Sequence, residues 1–190
     1  MTITDVTSTI DQYRLLSLLY KVQYKGDIRG VKALQFRKMR RWDKELPLNE
    51  ATEILKNCSY GVLSTVGIDG MPYGIPVNYT YENNCIFVHC AITGHKLDNL
   101  SQNANVSFCV VESSKVIPES FSTIFRSAIA FGKASILEDD GEKTEALMKL
   151  LSKYSADYVE NGVEEIKNAL KVTCVIRIDI LHLTGKSSIK

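Results

Sequence analysis

Residues Phe87–Leu100 read FVHCAITGHKLDNL. An apolar strand ends at His89-Cys90-Ala91, and a Thr-Gly-His-Lys step then opens a helix over His95–Gln102. Thr93 stands where an N-cap is expected, and Gly94 lets the backbone come close to an anion. First-turn amides, the helix dipole and the Lys96 ammonium together suit a phosphate. An ordinary capped helix with a solvated lysine accounts for the same residues. Neighbours alternate along a strand, so His89 faces away from Val88 and Cys90 and does not easily share a metal with Cys90. With three histidines in the chain and no spaced ligand cluster, no metal is expected. His89 is then either structural or a group that orients a ligand and moves a proton near neutral pH.

Outward from this stretch the pattern is mostly strand. Upstream, Ala51, Ile54, Leu55 and Cys58 recur at helical spacing. Strands follow over Tyr60–Val66 and Pro72–Tyr81, separated by the turn Gly67-Ile68-Asp69-Gly70, and the Asn83-Asn84 turn leads into Cys85–Ala91. Downstream come strands Val106–Glu112 and Thr123–Leu137, then Leu147, Leu150, Leu151 and Tyr154 at helical spacing. The last strand has Val172, Cys174, Ile176, Ile178 and Ile180 alternating with mostly polar neighbours. Six strands with hairpin links and helices at the margins predict a mainly β, antiparallel sheet closed as a small barrel.

Two strands carry further signals. Pro76 cannot donate to a ladder, so it belongs at an edge or bulge, where it deters aggregation or leaves main-chain groups free for a planar heterocycle. Asn78 offers such a ring both donor and acceptor. On the long strand, Ala128, Ala130 and Gly132 share one face, which suits either a flat ligand or close packing of another strand.

Composition narrows the classes. The 190 residues hold 23 basic and 22 acidic side chains, so no global field favours nucleic acid or an acidic membrane. The basic run Arg37-Lys38-Met39-Arg40-Arg41 reads as a solvated segment. Five cysteines without a C-x-x-C pair, several in apolar strands, point to a reduced, cytoplasmic protein. No apolar run approaches the ~20 residues that span a bilayer. No nucleophile elbow or comparable signature supports Ser/His/Asp or Cys/His catalysis. Residues 1–35, with a helical pattern around Ile10–Tyr20, read as an N-terminal arm of unknown role ahead of a domain over residues 36–190.

The run from Met39-Arg40-Arg41 through PYGIPVNYTY, IFVHCAITGHKLDNL, VSFCVVE and FRSAIAFGKA to His182-Leu183-Thr184-Gly185-Lys186 resembles the pyridoxamine 5′-phosphate oxidase-like FMN-binding superfamily. Within it the pattern is most similar to the nitroimidazole-resistance (Nim) branch. The resemblance implies a six-stranded split β-barrel that forms a homodimer with FMN between the subunits. It puts Pro76, Val77, Asn78 and Tyr79 along the isoalloxazine and His89 and Ala91 beside the ribityl chain and ring. Gly94, His95 and Lys96 would hold the phosphate, and Ser127 and Ile129 would complete the flavin wall. His89 matches the histidine beside the flavin in the Nim branch and is the candidate catalytic residue. The implied activity is an FMN-dependent oxidoreductase. It would take electrons from a reduced nicotinamide or another donor to a small electron-poor substrate such as a nitroaromatic. No Gly-x-Gly-x-x-Gly fingerprint is present, so donor and acceptor would use one flavin face in turn. No second Arg/His cluster near the C-terminus is available for a substrate phosphate, which argues against pyridoxamine phosphate oxidation itself. The competing expectation is a non-enzymatic flavin, deazaflavin or haem binder, a sensor or store, with His89 or His182 as haem ligand.

Overall fold

The structure, a computed structural model, describes residues 36–188. The helical pattern at Ile10–Tyr20 and the rest of the arm lie outside the described residues. From Lys38 on, the chain is one compact unit. Its strands are β1 (Glu45–Leu46), β2 (Tyr60–Val66), β3 (Pro72–Asn78), β4 (Thr80–Glu82), β5 (Cys85–Ala91), β6 (Asn105–Ile117), β7 (Ser122–Ile136) and β8 (Thr173–Ser187). Its helices are α1 (Leu48–Asn57), α2 (His95–Gln102), α3 (Asp140–Tyr154) and α4 (Val159–Ala169). Among the described residues, no helix is long and apolar enough to cross a membrane.

All pairings are antiparallel, in the order β3-β2-β6-β7-β8-β5-β4, with β1 added to β8. The two ends of that path, β3 and β4, are consecutive pieces of one stretch of chain. This closes the sheet into a split barrel. The expected strand Pro72–Tyr81 is therefore two strands, because the chain changes partner at Tyr79: β3 pairs with β2, and β4 pairs with β5. With β1 this makes eight strands where the periodicity predicts six; both additions are too short to show a period.

Alternation sets the interior. Leu63, Ile86, Val88, Phe108, Val110, Ala128, Ala130, Ile176 and Ile178 form one buried cluster, joined by Ile54 and Leu55 of α1. Ala128 and Ala130 are 1% exposed, so the small-residue face of β7 serves packing rather than a flat ligand. At Gly132 a Cβ would fall 2.5 Å from the Asp179 carbonyl oxygen, beside the register shift between β7 and β8. A second cluster, Leu137, Ala146, Leu147, Leu150 and Val175, buries the inner side of α3.

The corner at Tyr79 is heavily bonded. Its ring is fully buried, and its hydroxyl donates to the Leu55 carbonyl at 2.7 Å. Its backbone N–H donates to the Tyr154 hydroxyl of α3 at 2.9 Å. That hydroxyl lies 2.6 Å from the Tyr79 carbonyl oxygen and 2.5 Å from that of Ser59, and donates its proton to one of them. Lys153 donates to the Cys58 carbonyl at 2.7 Å and sits 4.2 Å over the Tyr79 ring.

Tyr154→Phe keeps the ring and strands the Tyr79 amide, so it should destabilise the fold by about 1–3 kcal/mol. A lowered denaturant midpoint at unchanged m-value is the expected readout.

Candidate functional site

β3 pairs with β2 alone, and β5 beyond Phe87 pairs with β8 alone. Past the Tyr79 corner the facing edges of β3 and β5 therefore carry main-chain groups without ladder partners. The prediction that Pro76 belongs on an edge strand agrees with this. Pro72, Gly74, Pro76 and Asn78 face outward, while Tyr73, Ile75 and Val77 are half-buried.

The registers carry that outer face across the sheet. Pro76 lies beside Val62, then Cys109, then Ile129, then Thr184. Ser127 pairs with Val111 two residues further along β7. The structure thus brings Pro76, Asn78, Ser127 and Ile129 to one outer face spanning β3, β2, β6 and β7. Ile129 and Phe131 are exposed on it, at 38% and 39%. The Phe131 ring is stacked on His182 of β8. Asn78 spends its amide N–H on the Ser59 carbonyl at 3.0 Å. The second N–H of that amide and its carbonyl oxygen are not used in this bond, so the donor–acceptor pair expected is still there to offer a ring.

Two of the predicted residues turn their side chains into the core rather than onto this face. The Tyr79 side chain is sealed in the core and its main chain is engaged by Tyr154, so Tyr79 is a corner residue of the fold. Val77 packs its side chain against the core and lies opposite Gly61 in a pair whose main-chain groups face β2, so the open edge is left to Gly74, Pro76 and Asn78. Alternation in the sequence predicts the inward turn of Val77; no short-range signal reveals the Tyr154 clasp on Tyr79.

His89 and Ala91 are exposed on β5, and Val88 is buried, as the alternation requires. The chain then enters α2, whose eight residues match the predicted helix. Gly94 is the N-cap, in place of Thr93, and no side chain caps the helix. Its φ of +135° belongs to glycine, and a Cβ there would meet nothing within 4 Å. The amides of Leu97 and Asp98 bond to the Gly94 carbonyl at 2.8 and 3.1 Å. Those of His95 and Lys96 precede any intrahelical acceptor. Open space, two amides ahead of any intrahelical acceptor and the Lys96 side chain give this turn the chemistry of an anion cradle. The His95 ring is stacked on Tyr73 of β3, with centroids 4.1 Å apart, which ties the cradle to the open edge. Sequence reasoning missed Tyr73.

Cys90 lies directly across from Cys174 on β8. Burial, reinforced by the neighbouring Cys174 thiol, pushes the Cys90 thiol up to about 11, against the pull of the Lys96 charge. Two clefts of about 530 and 210 Å³ open elsewhere, beside α3; both include Leu137, Glu142 and Arg177 and neither includes a predicted cofactor residue. The predicted residues line an open sheet face and edge, which one chain does not enclose.

Residues 47–187 match the model of the family described as pyridoxamine 5′-phosphate oxidase. No curated protein matches the chain. A solved structure from Bacteroides thetaiotaomicron, provisionally described as a 5-nitroimidazole antibiotic resistance protein, is 24% identical over 84% of this chain and 95% of its own, with a TM-score of 0.62. An FAD- and haem-binding protein from Mycobacterium smegmatis is 18% identical over 77% of this chain and 74% of its own, TM-score 0.65. The haem storage protein HutZ from Vibrio cholerae is 18% identical over 73% and 94%, TM-score 0.55. At these identities the likeness is one of fold.

The raised Cys90 pKa has a direct consequence, because the thiolate is the nucleophile. Alkylation of Cys90 should keep rising about tenfold per pH unit past pH 9, where ordinary thiols level off. Site-resolved mass spectrometry of the folded protein reads this; a plateau near pH 9 contradicts the buried setting.

Proposed function

Because the chain belongs to the pyridoxamine 5′-phosphate oxidase family, we propose that it is a homodimeric FMN-dependent oxidoreductase reducing a small electron-poor substrate. The observation that carries this reading is the uncapped Gly94–Lys96 turn held beside the open edge of β3. The turn supplies what a terminal phosphate needs: two free amides, the positive end of a helix and an ammonium. The edge supplies the Pro76 carbonyl and the Asn78 side-chain amide, which suit the rim of a flat heterocycle.

When bound, FMN supplies the redox chemistry itself. The chain's residues bind and orient it. Gly94, His95 and Lys96 hold the phosphate, and the β3 edge sets the ring. Exposed His89, on the strand leading to the cradle, holds or moves a proton near the reacting atoms. Ala91, beside it on the same strand face, leaves room for the ribityl chain.

A second copy completes the site. One chain offers an apolar outer face with Ile129 and Phe131 exposed, the kind of patch that a partner covers. Ser127 and Ile129 then serve as a wall for the flavin of the facing subunit, which excludes water from the ring. The electron donor, a reduced nicotinamide or another carrier, and a substrate such as a nitroaromatic bind in turn over the same ring. The domain over residues 36–190 carries all of these parts, in a cytoplasmic setting; residues 1–35 act as an appended arm.

The absorption spectrum of the as-isolated protein tests the reading. Flavin bands near one per chain are expected; a Soret band would indicate haem with His89 or His182 as ligand, and a colourless protein that ignores FMN would refute both. Lys96→Ala should weaken FMN binding by roughly 1.5–3 kcal/mol. Flavin fluorescence quenching measures this, and unchanged affinity removes the phosphate role. His89→Ala should slow flavin reduction or turnover at unchanged thermal midpoint; an unaltered rate assigns His89 to structure alone.

A further inference from the structure

The two ends of the proposed site belong to different elements, the phosphate end to α2 and the ring end to β3. Two independent links join them, and both run through Tyr73. The Tyr73 ring stacks on His95 with centroids 4.1 Å apart and planes 25° from parallel. Separately, the Asn99 side-chain amide of α2 donates to the Thr65 hydroxyl at 2.9 Å, and that hydroxyl donates to the Tyr73 carbonyl oxygen at 3.4 Å. Thr65 is wholly buried and Asn99 is 5% exposed. Polar groups so deeply buried are retained at a cost unless bonded, and each of these has its partner in the other.

The need for such links follows from the helix. α2 has eight residues, too few to hold its first turn by its own hydrogen bonds. Of its apolar anchors, Leu97 is buried within that turn and Leu100 beyond it, which leaves His95 and Lys96 at the exposed start without one. Gly94, free of side chain at the N-cap, adds no cap bond. The face of Tyr73 is also telling. Strand alternation turns its ring away from the outward Pro76 and Asn78, so it supports the site without entering it.

We propose that Tyr73 is a positioning residue that fixes the Gly94–Lys96 amides relative to the β3 edge, so that phosphate and ring are gripped by one rigid unit. The proposal rests on the FMN reading for its ligand, and on the stack and the polar relay for its mechanics. A ligand recognised at two ends binds well only when the grips are held at the right separation beforehand.

The test compares Tyr73→Phe, Tyr73→Leu and Thr65→Val with the wild type in two measurements. Hydrogen exchange on the cofactor-free protein follows the amides of residues 94–98. Titrations with FMN and with riboflavin, which lacks the phosphate, follow the ligand. Tyr73→Phe keeps the stack and should match the wild type in both. Tyr73→Leu should speed exchange in the first turn of α2 and weaken FMN about 2- to 10-fold while sparing riboflavin. Thr65→Val keeps the side-chain shape, breaks the relay at both of its bonds and should change in the same direction. Unaltered exchange in both Tyr73→Leu and Thr65→Val overturns the mechanical role, whatever binds. Faster exchange with FMN affinity unchanged, or an equal loss for FMN and riboflavin, overturns the link to the phosphate. A wild-type protein that binds no FMN refutes the cofactor reading, while the exchange comparison still decides the role of Tyr73.

Discussion

A single change of partner at Tyr79 governs the architecture. A strand that kept one neighbour through residues 72–82 would leave the sheet open, with long bare edges prone to pairing with other chains. Here β3 stays on β2, β4 goes to β5, and the ends of the sheet meet. Such a corner exposes an amide and a carbonyl that no ladder can satisfy, and burying them unbonded would cost more than a typical side-chain contact returns. The Tyr154 hydroxyl from α3 accepts that amide and lies within bonding distance of the carbonyl, and the buried Tyr79 phenol ties the same point to α1 through Leu55. Two helices far apart in the sequence are thereby fastened to one residue.

The corner also creates the site. Once β3 and β5 diverge, both present free main-chain groups, and Pro76 on that edge blocks the pairing that would otherwise fill it. The chain leaving β5 starts α2 within a few residues, so its N-terminus stays near the divergence, and the stack of Tyr73 on His95 fixes it there. In the proposed site, a change of partner at one residue thus supplies the ring edge, and the eight-residue helix beside it the phosphate end.

Features with a local cause were legible in the sequence. The helix around Ala51, Ile54 and Leu55, the strand–helix passage from Cys85 to Gln102, the edge position of Pro76 and the alternation that exposes His89 all follow from spacing within a few residues. Features set by long-range contacts were not. Nothing near Tyr79 announces that Tyr154, 75 residues away, holds its backbone. The preference for Ser and Thr at N-caps pointed to Thr93, but the positive φ needed at the turn fell to Gly94. The faces of β7 could be separated by alternation, yet which face met the core depended on registers with β6 and β8. Those registers turned Ala128 and Ala130 inward and left Ser127 and Ile129 on the same side as Pro76.

The scaffold alone does not choose the cofactor, since relatives of the same fold bear names with FAD and haem. An anion cradle does not choose either, because a haem propionate and a flavin phosphate both suit free amides and an ammonium. The choice falls to groups at the other end. Haem demands an axial ligand with a clear approach, and of the two histidines that could serve, His182 has its ring stacked on Phe131. A flavin demands hydrogen-bonding groups in the plane of its rim, and groups of that kind lie on the unpaired β3 edge that ends at the Asn78 amide. On the proposed reading the flat ligand is held through the backbone freed at the Tyr79 corner, whereas a haem would have to take its axial bond from the exposed His89.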